Sequence, residues 1–200
     1  MPGLAKQYGK APGASTGNYQ KHLNSKLGFT DLHKKLFTID CPTTSKLDGS
    51  REKYRMALLA PHEALEEIIA ADESFDDKLQ EAFVDDELPL AYWNNPLVKD
   101  SEQPVVPLGI FMDGVAYTEH DSVVGIWLIS LVNDDRCLLG AVRKNITCSC
   151  GCHGWCTWKP IHEFLHWSLL CMAEGRMPRV GPMGRGIDTR TERQSKPGHP

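Results

Sequence analysis

The chain lacks any hydrophobic stretch of the length that membrane insertion or secretion requires. Its longest apolar run lies between Val123 and Val132, far short of the ~20 residues of a membrane-spanning helix. The N-terminal residues contain no apolar segment of the kind that forms the core of a secretory signal peptide. We therefore expect an intracellular protein that is neither secreted nor held in a membrane.

A strong net charge is also absent, since the formal charge is only −4 for 200 residues, too small to indicate a partner by itself. Charge of one sign is nevertheless concentrated in blocks. Lysines dominate residues 1–40, acidic residues dominate residues 63–87, and arginines dominate the C-terminal end. Such blocks occur in segments that contact nucleic acid and equally in solvated disordered segments, so DNA is one partner that the pattern allows.

Proline, glycine and small polar residues leave too few apolar side chains for a packed core at either end of the chain. We expect residues 1–50 to form a mostly disordered basic arm, with one short helix around Asp31–Phe37. We expect residues 176–200 to form a disordered basic tail for the same compositional reason.

A helical period is the main signal in residues 51–88. Apolar residues recur about every 3.6 positions between Leu65 and Phe83, and the opposite face is acidic. Pro61 suits a first helical turn, because its missing N–H would have no partner there. These residues therefore predict an acidic amphipathic helix that packs on the core, and residues 89–104 follow as a linker with aromatic anchors.

The densest apolar pattern lies in residues 105–175, which we predict to be the core. Three strand-like runs follow one another at Val105–Tyr117, Val123–Val132 and Cys137–Val142. Their connections are too short for crossovers, so we expect a three-stranded antiparallel meander. Turn residues at 133–135 separate the second run from the third.

One helix is predicted to follow the three strands, which makes the fold class α+β. Thr157 is its predicted N-terminal cap, and Pro160 is predicted to lie in its first turn. Gly175 is predicted to end it, since glycine is the preferred residue just past a helix C-terminus.

A cysteine-rich loop, residues 148–156, lies between the third strand and this helix. Four of the seven cysteines and one histidine form the pattern C-x-C-x-C-H-x2-C in it. The residues of the pattern are Cys148, Cys150, Cys152, His153 and Cys156. Zinc prefers four sulfur or nitrogen ligands in a tetrahedron, and clustered cysteines of an intracellular protein fit metal binding better than disulfides. We predict a structural zinc site, the alternative being a reduced, tightly packed turn without metal.

The spacing of this pattern is crowded compared with paired C-x2-C knuckles. One ligand could therefore come from elsewhere in the chain. The candidates are His162, His166, Cys137 and Cys171. Gly151 and Gly154 would let the loop curl around an ion, since glycine adopts backbone conformations that other residues avoid.

His162, Glu163 and His166 form the pattern H-E-x-x-H within the predicted helix. In zinc metallopeptidases two such histidines hold zinc from one helical face, and the glutamate activates the bound water. The surrounding sequence fits poorly, because Pro160 lies close before the motif and Ser168 stands at a usually apolar position. A metallopeptidase is therefore our second alternative, and two half-exposed helical histidines are the simpler interpretation.

Asp113 follows the apolar residues of the first predicted strand. A carboxylate at such a position can bind Mg²⁺ together with further acidic residues, and the metal then activates water for phosphodiester cleavage. Asp113-Gly114 is also a common hairpin turn dipeptide. The residues alone leave these two interpretations open.

The segments PLGIFMDGVAY, DSVVGIWLISLVNDDRCLLGAVRK, CSCGCHGWCTW and WSLLCMAEGRMP resemble transposase-like proteins of eukaryotic mobile elements. The resemblance covers residues 88–178 and implies the first half of an RNase H-like fold with an acid-triad (DDE) centre. It implies that Asp113 is the first Mg²⁺-binding acid, with Glu163 or Glu174 of the following helix as the candidate second acid, and that the cysteine-rich loop is an insertion. DNA as the substrate and a nuclear location would follow from it.

The chain departs from that family after Gly175. A complete RNase H-like centre needs a further strand carrying another acid, and residues 176–200 contain no apolar run that could form one. We therefore predict a truncated, transposase-derived fragment related to DNA strand cleavage and transfer, with an incomplete active site. The first alternative is a non-enzymatic zinc module that contacts DNA or protein through its basic arms and a surface around Trp155 and Trp158.

Overall fold

The computed structural model describes residues 36–84, 88–102, 104–119, 121–175 and 180–182. The chain divides into two units, Met1–Leu36 and Phe37–Pro200. Almost all of the first unit lies outside the described residues. The predictions for the basic arm before residue 36, and for nearly all of the basic tail, therefore fall on residues that the structure does not describe.

The first sheet is an antiparallel hairpin of β1 (Phe37–Thr44) and β2 (Arg51–Leu58). The prediction of a disordered arm is therefore wrong for Phe37–Thr44, as is the predicted helix for its last residue, Phe37. The predicted helix over residues 51–88 is likewise wrong for Arg51–Leu58. Alternate residues of β1 are buried while those between them are not, so the strand has the period of two that one buried face produces.

Two helices follow the hairpin, α1 (Pro61–Ala71) and α2 (Phe75–Val84), so the helical prediction holds for much of residues 61–84. Pro61 occupies the first turn of α1, as predicted. The break between the helices lies at Asp72, whose carboxylate accepts hydrogen bonds from the backbone N–H and the hydroxyl of Ser74. That local bonding offers the chain an alternative to a continuous helix.

The predicted linker contains two short helices, α3 (Leu90–Trp93) and α4 (Pro96–Lys99). Tyr92 is buried, and its hydroxyl donates a hydrogen bond to the carbonyl of Val105 at 2.6 Å. The ring of Trp93 packs against Phe83 of α2, with 5.1 Å between the ring centroids. These aromatic contacts hold α3 against α2 and against the residues that precede the second sheet.

The second sheet is the predicted meander. It contains β3 (Leu108–Thr118), β4 (Asp121–Ser130) and β5 (Arg136–Arg143), all antiparallel and in the order β3-β4-β5. Asp134 has a φ of 57° in the β4–β5 turn, a conformation that aspartate adopts more readily than most residues. The α+β class and the antiparallel meander are thus confirmed, and the likeness to an RNase H-like fold stays a prediction.

The last helix, α5 (Trp155–Glu174), packs against β1 and α1. Phe164 of α5 is fully buried, and its ring centroid lies 5.5 Å from that of Phe37. Gly175 ends the helix with a φ of 60°, as predicted. The predicted N-terminal cap is wrong, because Gly154 takes that position and Thr157 is fully buried inside the helix. Pro160 likewise lies inside the helix and not in its first turn, where it was predicted.

The two sheets meet where β2 ends. The N–H of Leu59 donates a hydrogen bond to the carbonyl of Leu139 at 2.8 Å, and both side chains are buried. Leu139 is the extra residue at a register shift, because Ile126 pairs with Gly140 whereas the next residue of β4 pairs with Leu138. No helix among the described residues is long and apolar enough to cross a membrane.

Candidate metal centre

The cysteine-rich loop turns back on itself between β5 and α5. Three of its residues have positive φ values, 87° at Gly151, 50° at His153 and 84° at Gly154. Glycine reaches such values without steric cost, whereas a residue with a Cβ atom rarely does. The reversals return the chain so that Cys156, in the first turn of α5, lies beside the cysteines that precede it.

The four cysteine thiols converge at this reversal. The Sγ atoms of Cys148, Cys150, Cys152 and Cys156 all lie within 4.8 Å of one another. A tetrahedral zinc ion with Zn–S bonds of ~2.3 Å needs sulfurs about 3.8 Å apart, and the Sγ atoms of Cys150 and Cys156 are 3.7 Å apart. This separation is far from the ~2.05 Å of a disulfide. The four cysteines could therefore hold a metal such as zinc.

The thiols of Cys150, Cys152 and Cys156 differ in pKa. The backbone N–H of Cys156 donates to Sγ of Cys152 at 3.4 Å and lowers the pKa of the Cys152 thiol to about 6. The bond to Cys152 raises the pKa of Cys156 to about 12, and the neighbouring Cys148 raises that of Cys150. The thiol of Cys152 therefore loses its proton readily, whereas hydrogen bonds with neighbouring thiols keep Cys150 and Cys156 protonated. A bound divalent cation would favour the deprotonated form of all four thiols, because metal ligands must be deprotonated.

Hydrogen bonds from distant residues hold the loop in place. The hydroxyl of Thr157 accepts from the backbone N–H of Cys148 at 2.8 Å and donates to the carbonyl of Pro42 at 2.5 Å. Ser149 donates from its backbone N–H to the hydroxyl of Thr44 at 3.0 Å. The end of β1, the loop and the start of α5 are thereby joined at one point.

The remaining predicted ligands lie outside this group. Among the described residues, the four cysteines are the one set of three or more His, Cys, Asp or Glu side chains that could share an ion. His153 is exposed, and burial raises the pKa of both Cys137 and Cys171. None of these three belongs to the set, so four thiols from the loop itself are sufficient for a tetrahedral site.

The three residues of the H-E-x-x-H pattern lie exposed on α5. His162 stacks on Trp155 with 5.8 Å between the ring centroids, and Glu163 forms an ion pair with Lys159. Over the residues that the structure describes, neither His162 nor His166 belongs to a group of metal-binding side chains. A metallopeptidase needs a third protein ligand on its zinc, and this surface supplies none, so we do not propose that activity.

Asp113 lies in the middle of β3 and is exposed. It pairs with Gly125 of β4, and the ladder continues on both sides of it, so its interpretation as a hairpin turn residue is wrong. In the described ranges, neither Asp113 nor Glu163 shares a metal-capable group with two further acids. The arrangement of the described residues therefore gives no support to their predicted roles as Mg²⁺ ligands.

The role of Thr157 in holding the loop is a feature of the site that the sequence does not predict. Its two hydrogen-bond partners, Cys148 and Pro42, are 9 and 115 positions away along the chain. The only local signal is that this threonine directly follows Cys156, one of the four cysteines of the cluster. Comparisons of the chain with protein families, with curated proteins and with solved structures gave no match.

Proposed function

We propose that this protein is a non-enzymatic zinc module. One zinc ion on Cys148, Cys150, Cys152 and Cys156 would fasten the start of α5 to the end of the β1–β2 hairpin. The observation that carries the proposal is the convergence of four thiols within 4.8 Å. Four thiolates fill a tetrahedral site and leave no position for substrate or water, which is typical of structural rather than catalytic zinc.

The energy of such a site is large on the scale of a small protein. Zinc binding to structural cysteine and histidine sites is worth about 10–16 kcal/mol in zinc-finger peptides at neutral pH. The net stability of a typical domain is only about 5–15 kcal/mol. Occupancy of the site would therefore decide whether the hairpin and α5 stay together.

Metal analysis of protein purified without a histidine tag tests this proposal. The wild type is expected to carry one zinc ion per chain, and cobalt substitution should give the visible absorption of a tetrahedral thiolate site. Cys150→Ser should lose the metal and unfold at least about 10 °C lower, because each kcal/mol is worth roughly 2–4 °C at this size. Cys171→Ser is the matched control, since Cys171 lies outside the cluster, and it should keep the zinc.

A protein that folds without metal would contradict the proposal. The decisive result would be equal melting temperatures for wild type with added zinc, wild type after chelation and Cys150→Ser. In that case the loop is the reduced, tightly packed turn that was its alternative interpretation.

We propose as a second candidate that the chain derives from a mobile-element transposase and no longer cleaves DNA. The support is the order of elements that the resemblance requires, a three-stranded meander followed by a helix. Plasmid nicking with Mg²⁺ or Mn²⁺ tests it, and wild type and Asp113→Ala are both expected to be inactive. Nicking by the wild type that is lost in Asp113→Ala would show a complete active site instead.

A further inference from the structure

The β1–β2 hairpin has two chemically different faces. The register pairs Ile39 with Met56 on one face, and both side chains are buried. The opposite face carries Arg51, Lys53 and Arg55, at alternate positions of β2, and we call these three residues the basic face. Because side chains alternate along a strand, the three cations must lie on the same side of the hairpin.

The basic face is exposed and poorly neutralised. All three of its side chains are exposed, Arg55 to 83%. Arg55 lies 3.8 Å from the carboxylate of Asp40, its cross-strand neighbour, whereas Arg51 and Lys53 make no ion pair with any described residue. An ion pair of this length on the surface contributes little stability, so the cations remain available to a partner.

The charge of this face is opposite to that of the chain as a whole. The protein has a formal charge of −4, and the exposed sides of α1 and α2 are acidic. A cluster of cations on a net acidic protein creates a local positive potential that selects negatively charged partners. A polymer of phosphates is the partner that can meet several of these cations at once.

The spacing of the cations fits such a polymer. Alternate strand residues are ~6.8 Å apart, so Arg51 to Arg55 spans about 14 Å. One DNA strand advances 3.4 Å per nucleotide along the helix axis, so a span of about 14 Å parallel to that axis passes roughly four phosphates. Arginine and lysine are the side chains that neutralise backbone phosphates in nucleic-acid complexes.

We propose that the basic face binds the phosphate backbone of nucleic acid. The inference rests on the proposed function in one respect, that a metal-filled loop would hold the end of the hairpin. Thr44, which accepts the hydrogen bond from Ser149 of the loop, pairs directly with Arg51. The metal would therefore present the cations in a fixed arrangement while taking no part in the contact.

Fluorescence anisotropy with a short fluorescein-labelled DNA duplex tests the inference on the full chain. Affinity is measured between about 50 and 200 mM salt for wild type and for Arg51→Glu/Lys53→Glu. The variant should bind at least about tenfold more weakly, and the slope of log K against log salt should fall in magnitude by about 2. The control Lys99→Glu/Arg136→Glu removes the same charge from exposed residues on α4 and β5 and should bind like the wild type.

The outcomes separate this inference from the zinc proposal, because zinc content and melting temperature are measured for every variant. Absent binding by the wild type, or an equal loss in both double variants, would overturn the inference whether or not zinc is bound. A loss confined to Arg51→Glu/Lys53→Glu, with unchanged melting temperature, supports it. That same loss in a protein without zinc would uphold the inference and refute the zinc site.

Discussion

Gly140 shows how one missing side chain brings the two sheets together. A Cβ atom at this position of β5 would lie 2.2 Å from Cδ2 of Leu58, far inside contact distance. Leu58 is fully buried at the end of β2, so its side chain has little room to move away. The absence of a Cβ atom therefore permits the close approach of β2 and β5.

Gly140→Ala should accordingly lower the free energy of unfolding by about 1–3 kcal/mol, the usual cost of overpacking a well-filled core. Urea denaturation gives this quantity directly. Gly114→Ala is the matched control, because its Cβ would meet only Cγ2 of Val124 at an ordinary 3.9 Å. Equal stability of the two variants would mean that Leu58 can repack freely.

Asp72 carries the clearest pH dependence of a single residue. The ammonium group of Lys78, at 2.8 Å, and the hydroxyl of Ser74 hold the pKa of its carboxyl well below the usual 3.8. A carboxyl whose pKa is lower in the folded than in the unfolded protein adds stability above its ordinary pKa, and this stability disappears as the pH falls.

Asp72→Asn should therefore melt at a lower temperature than the wild type at neutral pH. The gap between the two should begin to close as the pH falls below 3.8 and should vanish only below the lowered pKa of the folded protein. Between these two values the unfolded chain binds a proton that the folded carboxylate does not, which costs the wild type its extra stability. Thermal unfolding followed by circular dichroism across this range measures the gap. A difference that stays constant with pH would show that the ionised form makes no special contribution.

At the residue scale, the sequence predicts which side chains can bind metal better than it predicts which distant residues contact each other. The four cysteines of the cluster were found from their spacing alone, since sulfur ligands close in sequence can share an ion. The same pattern predicts His153 as a ligand, yet its φ of 50° belongs to the turn and it lies outside the cluster. The role of Thr157 depends on a partner 115 positions away, which no local pattern reveals.

At the scale of elements, the strands differ in how clearly their residue types predict them. β4 lies in the middle of its sheet and is a continuous run rich in β-branched residues, which is recognisable from sequence. β1 and β2 bury only one face, and the other carries arginine, lysine and aspartate. In composition β1, which contains Pro42, resembles a disordered arm, and β2 falls within the residues that we predicted to be helical, so the sequence does not predict the hairpin.

Thr157 joins α5 to the loop and to β1 through one hydroxyl, and removal of that hydroxyl should weaken both junctions. Thr157→Val keeps the shape but leaves the N–H of Cys148 and the carbonyl of Pro42 without their partner. We expect a loss of about 2 kcal/mol in the free energy of unfolding, since an unpaired buried polar group costs about 1–3 kcal/mol. Urea denaturation of the zinc-loaded protein measures this loss.

Thr157→Ser keeps the hydroxyl and is the control for that measurement. It should retain most of the wild-type stability, because only one buried methyl group is removed. If the serine variant were as unstable as the valine variant, packing of the methyl group rather than the hydrogen bonds would hold the junction.

At the scale of the whole molecule, the two sheets depend differently on the cysteine-rich loop. The hairpin is tied to the loop through Thr44, which bonds Ser149, and to the residue just before the loop through a bridge between Thr43 and Thr147. The meander is held by its own long ladders, and its central strand, β4, is bonded on both sides. Parts of a protein with few anchoring contacts can open without global unfolding.

Removal of the metal should therefore change the amide hydrogen-exchange rates of the hairpin and of the start of α5 but not those of the meander. After chelation of zinc, amides of β1 and of the first turn of α5 should exchange at least about tenfold faster, because their junction has lost its bridging ion. Amides of Ile126 and Leu128 in β4, whose side chains are fully buried, should keep their protection. Cys150→Ser in the presence of zinc should reproduce the chelated pattern. A uniform loss of protection over both sheets would instead mean that the metal stabilises one cooperative unit, with the Leu59–Leu139 hydrogen bond and the packing around it coupling the hairpin to the meander.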